Sequence, residues 1–530
     1  MFFDRDIRLH VYPEKYQNDV HDIANLFYRG AIYRGGSRPP RDTDGVRNAN
    51  GVAAAFTDVI SVTESARGYT LDVTFYGTDG PCANITSEIY STGDIPSYNI
   101  KMALYRLLKT RAAALHGAEN LLPWGALVGV RPVKTYAELA GSGADRTEII
   151  DRMARAYDVS ADMSDLCLRI AGTQREILSR YDNAKDFMLY IGIPFCVSKC
   201  AYCSFPSDAH NRADVYAPRY IDALTREMRF TAGLMKGSGR RLKAVYIGGG
   251  TPTAIGAREL RRLIYNVADA FPDDCPDEYT VEAGRADTLD REKLGIIRSA
   301  ARCAGRLRLC INPQSMNRAT LDLIGRSHTP EDVERAFLLA RDAGLDDINM
   351  DIIAGLPGEG LAEFENTLEA VGRLGPESLT SHTLCIKRSS RLNERPDKYG
   401  CPEAHTAASM QAAAFRYADT HGMRPYYLYR QKNTVGNLAN VGFAVEGRYC
   451  VYNIHEMADC IDVLAIGAGA VSKFTNTGTG RIDRVFNVKN LLEYINRNDE
   501  MIGRKAGFIT QAPIAGTGPY DEGRRSFVAK

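Results

Sequence analysis

"IPFCVSKCAYCSF", residues 193–205, brings Cys196, Cys200 and Cys203 into one short run, with three and then two residues between them. Three uses of such a run compete. Positions i, i+4 and i+7 share one helical face, so the thiols could form a buried stripe. A structural zinc site takes four ligands, normally as two separated pairs. No second close pair accompanies this one, since Cys303 and Cys310 are seven apart and Cys450 and Cys460 ten apart. An iron–sulfur cluster can be held by three thiolates with one iron left open. Pro194 favours a strand running out into a loop over a helix interior.

The neighbouring sequence gives the run its context. Apolar runs alternate with helical patterns from residue 187 onward: "FMLYIGIPF" (187–195), "KAVYIGGG" (243–250), "EYTVEAG" (278–284), "RLRLCINP" (306–313), "DDINMDIIAGLP" (346–357) and "SLTSHTLC" (378–385). Each of the first five is followed by an amphipathic helix pattern, such as "PEDVERAFLLARDAG" after the fourth. This β-then-α order predicts an α/β fold: a parallel sheet, open or curved into a partial barrel, with helices outside it. Either form puts the chemistry at the carboxyl ends of the strands.

Composition narrows the class. A chain of 530 residues is too long for one ordinary core. Its 45% hydrophobic and 25% charged residues fit a globular enzyme. The formal net charge of +1 gives no reason to expect nucleic acid as a partner. No apolar stretch reaches membrane-spanning length. Twelve cysteines, with no secretory signal at the start, predict reduced thiols in a cytoplasm.

The predicted strand ends assemble a rim. The first leads into the cysteine run. The second ends in "GGGTPT" (248–253), where glycines allow close backbone approach, and no Gly-Lys-Ser/Thr follows to make a nucleotide phosphate loop. The third ends in Glu282, the fourth in Asn312, Pro313 and Gln314, the fifth carries Asp351, and the sixth runs into "CIKRSSRL". Alone, Glu282 reads equally as a helix cap, and Arg326 as a solvated arginine. Asp351 in an apolar strand is costly to bury unless it is paired or functional. Trp124 reads as packing at a domain junction, and His210, His382, His421 and His455 as structural.

"YIGIPFCVSKCAYC" and the six-unit pattern resemble the radical S-adenosylmethionine superfamily. The resemblance implies a partial (β/α)6 barrel in which Cys196, Cys200 and Cys203 bind a 4Fe–4S cluster. The fourth iron is then free for the amino and carboxylate groups of S-adenosylmethionine, which a fourth cysteine would exclude. Within the superfamily the chain resembles the oxygen-independent coproporphyrinogen III oxidase/dehydrogenase family. "LLPWGALVGVRPVK" (121–134), "HTLCIKRSSRL" (382–392) and "YYLYRQKNTVGNLANVGFA" (426–444) resemble its HemZ-type branch. The cofactor contacts implied are Tyr190, Gly249, Gly250, Thr251, Glu282, Gln314, Arg326, Asp351 and Cys385. Lys387, Arg388 and Arg430 are candidates for binding substrate carboxylates.

The resemblance implies decarboxylation of two propionates of coproporphyrinogen III to the vinyls of protoporphyrinogen IX in haem biosynthesis, with an electron from a reductase such as flavodoxin or ferredoxin. Another radical reaction on a tetrapyrrole, or non-catalytic haem delivery, stands as the alternative. Gly192 and Phe205 occupy positions where the best-known coproporphyrinogen enzymes have histidine and a further cysteine. Haem-chaperone relatives carry His-Asn-x-x-Tyr-Trp where this chain has Asn453, Ile454, Met457 and Ala458. The domains expected are an N-terminal α+β module over 1–180, the radical core over 181–385, a C-terminal α+β module over 386–505, and a disordered Pro/Gly-rich tail over 506–530.

Overall fold

The computed structural model describes residues 7–12, 14–28, 32–34, 58–65, 68–77, 80–90, 96–116, 122–129, 131–205, 208–387, 389–400, 403–432, 434–476 and 481–511. They fall into two compact units. One is drawn from Met1–Val130 and Ala140–Asp165, the other from Arg131–Leu139 and Leu166–Pro519.

The first unit is a five-stranded sheet in the order Ile32–Arg34, Ile7–Val11, Asp58–Ser65, Gly68–Gly77, Gly80–Tyr90. Residues 58–77 alternate as a hairpin should: Ile60, Val62, Leu71 and Val73 are buried in one core with Val20, Ile23 and Phe27 of the helix Gln17–Phe27. The helix Pro96–His116 adds Leu104 and Leu108 to that core.

The second unit is built on an eleven-stranded sheet. Its strands are numbered here in chain order: β1 Asp186–Ile193, β2 Arg241–Gly249, β3 Glu278–Glu282, β4 Leu307–Gln314, β5 Ile348–Ala354, β6 Ser378–Thr383, β7 Arg424–Arg430, β8 Ala439–Ala444, β9 Asp462–Ile466, β10 Val471–Asn476 and β11 Arg481–Phe486. The sheet order is β7-β8-β6-β5-β4-β3-β2-β1-β9-β10-β11. Strands β1 to β6 pair in parallel in sequence order, and all six predicted β/α units are present. Strand β9 adds a seventh parallel strand beside β1, while β7, β8, β10 and β11 are antiparallel additions at the two ends.

The residues from 386 onward therefore extend the core sheet instead of forming a separate layer. The boundary expected at 180 lies earlier, at Leu166. Ile177 of the helix Ala161–Leu178 packs with Met188 and Tyr426, and Gln174 Nε2 donates to the Tyr426 carbonyl at 3.0 Å. The last described helix, Asn498–Gln511, continues past the expected start of the tail at 506, whose remainder lies outside the described residues.

The outer helices follow sequence signals. Pro330–Asp342 starts on a capping box between Thr329 and Asp332, with Pro330 in its first turn, and buries Val333, Ala336, Phe337 and Ala340 on one face. At the amino ends of the strands, Glu278, Arg306, Arg308 and Asp347 form a buried ion network. Arg308 reaches Asp347 at 3.2 Å, and Glu278 accepts the Val451 N–H at 2.8 Å.

A second buried pair fixes the C-terminal helix. Glu227 in the helix His210–Gly237 and Lys505 both have fully buried side chains, with Lys505 Nζ 2.5 Å from Glu227 Oε1. Asn487 donates to the same carboxylate at 2.9 Å and the Gly467 N–H at 3.0 Å, and Tyr494 hydroxyl joins them. Removing one partner strands the other charge in the core. Lys505→Met is expected to lower the unfolding free energy of this unit by about 3–5 kcal/mol, read by urea titration, with the double variant Glu227→Gln/Lys505→Met recovering part of the loss.

Candidate functional site

Strand β1 ends at Ile193, and Pro194, which has no N–H, interrupts its pairing. Phe195–Cys196 then pairs in parallel with Asp208–Ala209, and residues 197–203 run on as bends and turns without helix. The three cysteines are thus not a helical stripe. Cys200 is buried, and Cys196 and Cys203 are half-buried.

The glycine run at the end of β2 holds this loop. Gly250 N–H donates to the Ile193 carbonyl at 2.8 Å and Thr251 N–H to the Phe195 carbonyl at 2.7 Å. A Cβ on Gly250 would stand 2.4 Å from the Phe195 carbonyl oxygen. One on Gly249, which sits at φ +116°, would stand 2.6 Å from that of Ile193. The close approach expected of these glycines is therefore first of all to the chain itself. Buried Thr251 places its Oγ1 3.2 Å from Cys196 Sγ.

Two buried arginines bracket Cys200. Arg326 Nη1 lies 3.9 Å from Cys200 Sγ and 3.1 Å from the Tyr202 hydroxyl, and its Nη2 donates to the carbonyls of Gly284 (2.8 Å) and Asn312 (2.6 Å). Arg285 Nη1 lies 3.9 Å from the same sulfur. Arg285 went unnoticed in the sequence; its signal is a charged residue three positions beyond Glu282, on a loop leaving the rim. Arg326 was singled out as a cofactor contact, and the structure gives it the further task of tying the ends of β3 and β4 to the cysteine loop.

Among the described residues, no three His, Cys, Asp or Glu side chains converge as ligands of one metal ion would. That is a poor fit to zinc, which draws each sulfur to about 2.3 Å. An iron–sulfur cluster assigns each thiolate to a different iron, so three sulfurs on one open loop fit it. The rim also holds buried acceptors with no partner, Gln314 Oε1 and Asn312 Oδ1. Gln314 has φ 67° beside a break in the β4–β5 register. A bulge next to Pro313 re-aims its side chain, and strain of this kind gathers at binding sites. The residues present fit a cluster with a polar ligand beside it.

The inner face of the sheet carries an acidic, tyrosine-lined interior. Tyr190 and Tyr246 are register partners on β1 and β2, with rings 6.2 Å apart, and Tyr246 stacks on Tyr452 at 4.5 Å. Tyr246 hydroxyl donates to Glu282 Oε1 at 2.5 Å. Burial pushes Glu282 up to about 7 despite that hydrogen bond, with the Asp351 carboxylate adding to the rise. Burial also works against charge on Asp351. There His382 Nε2 at 3.5 Å, with Asn349 and Thr380, outweighs it and holds the carboxyl below its usual range. His382 Nδ1 in turn faces the Tyr429 hydroxyl at 3.2 Å. So His382, read from the sequence as structural, and Tyr246, not singled out there, orient the two acids.

The remaining candidates divide. Cys385 bridges to Thr434, and its thiol donates to the Lys432 carbonyl at 3.0 Å. The Lys387 ammonium is near enough to Cys203 and Cys385 to favour their thiolates, though burial pushes both thiols up. Arg430 is set aside as a carboxylate anchor: strand alternation turns it away from Tyr429 and His382, it is buried, and its guanidinium donates to Asn437 Oδ1 at 2.6 Å. Arg388 lies outside the described residues.

Residues 190–371 match the radical SAM superfamily. The chain is 32% identical over 507 residues to the oxygen-independent coproporphyrinogen-III oxidase-like protein HemZ of Bacillus subtilis, covering 94% of this chain and 97% of that one. It is 30% identical over 310 residues to the haem chaperone HemW of Haemophilus influenzae, covering 58% of this chain and 75% of that one. Among solved structures it is similar to coproporphyrinogen III oxidase (HemN) of Escherichia coli, with a TM-score of 0.48 and 22% identity, over 63% of this chain and 73% of that one.

Two outcomes follow from the geometry. Gly250→Ala forces the Phe195 carbonyl away and should abolish iron uptake on anaerobic reconstitution, while Gly233→Ala, whose Cβ would meet nothing within 4 Å, keeps it. Iron counting separates them. Glu282 has a raised folded pKa, so its stabilising protonation is complete below about 4.5 and lost as pH rises through about 7. Urea midpoints of the metal-free protein should therefore fall from pH 5 to pH 8 more steeply than those of Glu282→Gln.

Proposed function

Because the chain belongs to the radical SAM superfamily, in the branch of the coproporphyrinogen-III oxidase-like protein HemZ, we propose that it is an oxygen-independent coproporphyrinogen III dehydrogenase. The likeness along nearly the whole chain to a protein named as coproporphyrinogen-III oxidase-like supports the reading. A bound 4Fe–4S cluster and S-adenosylmethionine supply, between them, a 5′-deoxyadenosyl radical able to take a hydrogen atom from an unactivated carbon.

The chain's own residues then have distinct tasks. Cys196, Cys200 and Cys203 hold the cluster. Gly249, Gly250, Thr251 and Gln314 border the methionyl end of the cofactor, while Glu282 and Asp351 meet its polar groups and Tyr190 lies alongside. Lys387, on the loop after β6, offers a positive charge to a substrate carboxylate next to the cluster loop. The buried tyrosines of β1, β2 and β7 keep water from the interior, which a radical reaction needs. Each propionate converted would lose a β-hydrogen atom to that radical, then carbon dioxide, and one electron to a separate one-electron acceptor, so two cofactor cleavages would accompany each product. The electron that reduces the cluster comes from a reductase of the flavodoxin or ferredoxin kind.

Haem delivery is the second reading, favoured by the likeness to HemW. The helix Val451–Ala458 speaks against it. It holds Asn453, Ile454, Met457 and Ala458 at the motif positions, and its histidine, His455, is fully buried, edge-on to Tyr181, with Nδ1 3.2 Å from Cys460 Sγ.

The deciding assay is anaerobic. Reconstituted protein, reductant, S-adenosylmethionine, coproporphyrinogen III and a one-electron acceptor should yield protoporphyrinogen IX by mass, with two 5′-deoxyadenosines per product. Tight one-to-one haem binding without turnover would favour the carrier instead. Lys387→Ala should raise KM for the tetrapyrrole more than it lowers cofactor cleavage. Asp351→Ala should keep its iron and weaken cofactor binding by about 1–3 kcal/mol, read by calorimetry.

A further inference from the structure

The three sulfurs of the cysteine loop do not have equal surroundings. Cys196 Sγ faces the Thr251 hydroxyl at 3.2 Å, and Cys203 Sγ accepts the Phe205 N–H at 3.4 Å. Cys200 Sγ alone among the three faces two guanidinium groups, those of Arg285 and Arg326, each with Nη1 at 3.9 Å. Arg326 is already engaged by two carbonyls and a tyrosine. Arg285 is held differently. Its Nε and Nη2 meet the two oxygens of Asp287 at 3.1 and 3.0 Å, a fork-to-fork pair that fixes the plane of the guanidinium. Ser327 hydroxyl accepts from Nη2 at 2.7 Å and donates to Asp287 at 2.9 Å. The remaining nitrogen, Nη1, is thereby aimed at the cysteine loop, where it meets Ser198 Oγ at 2.9 Å beside Cys200. With Arg285 2% exposed, water does little to screen its charge from that sulfur.

We propose that Arg285, locked by Asp287 and Ser327, is a positioning residue that sets the reduction potential of the cluster through Cys200. The proposal rests on the reading of Cys196, Cys200 and Cys203 as cluster ligands and is independent of the tetrapyrrole substrate. The physical reason is charge. The one electron delivered by an external reductant makes the cluster more negative, and a buried cation with an N–H directed at one of its thiolates stabilises that reduced state. Hydrogen bonds to the sulfurs and net charge nearby are the means by which proteins tune such clusters. The guanidinium therefore raises the potential, and Asp287, which offsets part of its charge, lowers it.

The sign of each contribution separates tuning from mere support of the loop. The full-length protein, reconstituted anaerobically without S-adenosylmethionine or any tetrapyrrole, is titrated with dithionite while the reduced cluster is followed by electron paramagnetic resonance. Arg285→Gln should lower the midpoint potential by at least 59 mV, the one-electron equivalent of a tenfold change in the reduction equilibrium. Arg285→Lys, which keeps the charge without the fork, should recover part of the shift. Asp287→Asn should move the potential the opposite way, upward, with iron content unchanged. An unchanged midpoint in both Arg285→Gln and Asp287→Asn, or shifts of the same sign, overturns the proposal. If Arg285→Gln does not retain iron, the direction of the Asp287→Asn shift decides alone.

Discussion

Two backbone hydrogen bonds, from Gly250 to Ile193 and from Thr251 to Phe195, are the contact on which the site depends. They extend the β1–β2 pairing past the point where Pro194 would otherwise end it, and they do so only because two consecutive residues lack a Cβ. The cysteine loop thereby begins as a continuation of the sheet, not as a free excursion. Its far side is tied just as firmly: Ala201 N–H donates to the Ile324 carbonyl at 2.8 Å, and Leu392 N–H to that of Ala201 at 3.0 Å. A loop that must offer three thiols without collapsing on itself needs such anchoring from outside, since its own residues form neither helix nor hairpin.

The interior below that loop follows a different rule. Charges at the amino ends of the strands are cancelled in pairs, as Glu278 and Asp347 are by Arg306 and Arg308. Toward the carboxyl ends Glu282 and Asp351 lack such partners. Glu282 has a tyrosine hydroxyl, and Asp351 a histidine and an amide. Such contacts orient a carboxyl group while leaving it able to respond to a ligand or a proton. The same fold thus carries a saturated, structural end and a responsive, chemical one.

The six central strands were legible because strands buried on both faces read as unbroken apolar runs closed by turn residues. The rim residues were legible because they sit directly after those runs. What was hidden depended on parity and on partners far along the chain. The shift in register between Pro425 and Tyr427 decides which of the following residues face inward, so Arg430 could not be assigned a side from its neighbours. The direction of Arg285 is set by Asp287 and Ser327, and only the latter's loop after β4 brings it near. The pairing of β9 with β1 was hidden for the same reason, since it joins residues from opposite ends of the second unit.

That last pairing bears on how the protein folds. Strand β1 pairs with a neighbour, β9, that lies far along the chain, and the lysine that pairs with Glu227 is just as distant from it. Gly467, just past β9, is packed against the Gly192 carbonyl so closely that a Cβ would lie 2.5 Å from it, and its N–H is held by Glu227. The pairing with β9 closes the sheet edge of the strand that leads into the cysteines, and Lys505 supplies the buried cation that Glu227 needs. Contacts of such long sequence separation form slowly. The strand that carries the chain into the cysteine loop thus gains its second neighbour only when the two ends of the second unit have come together.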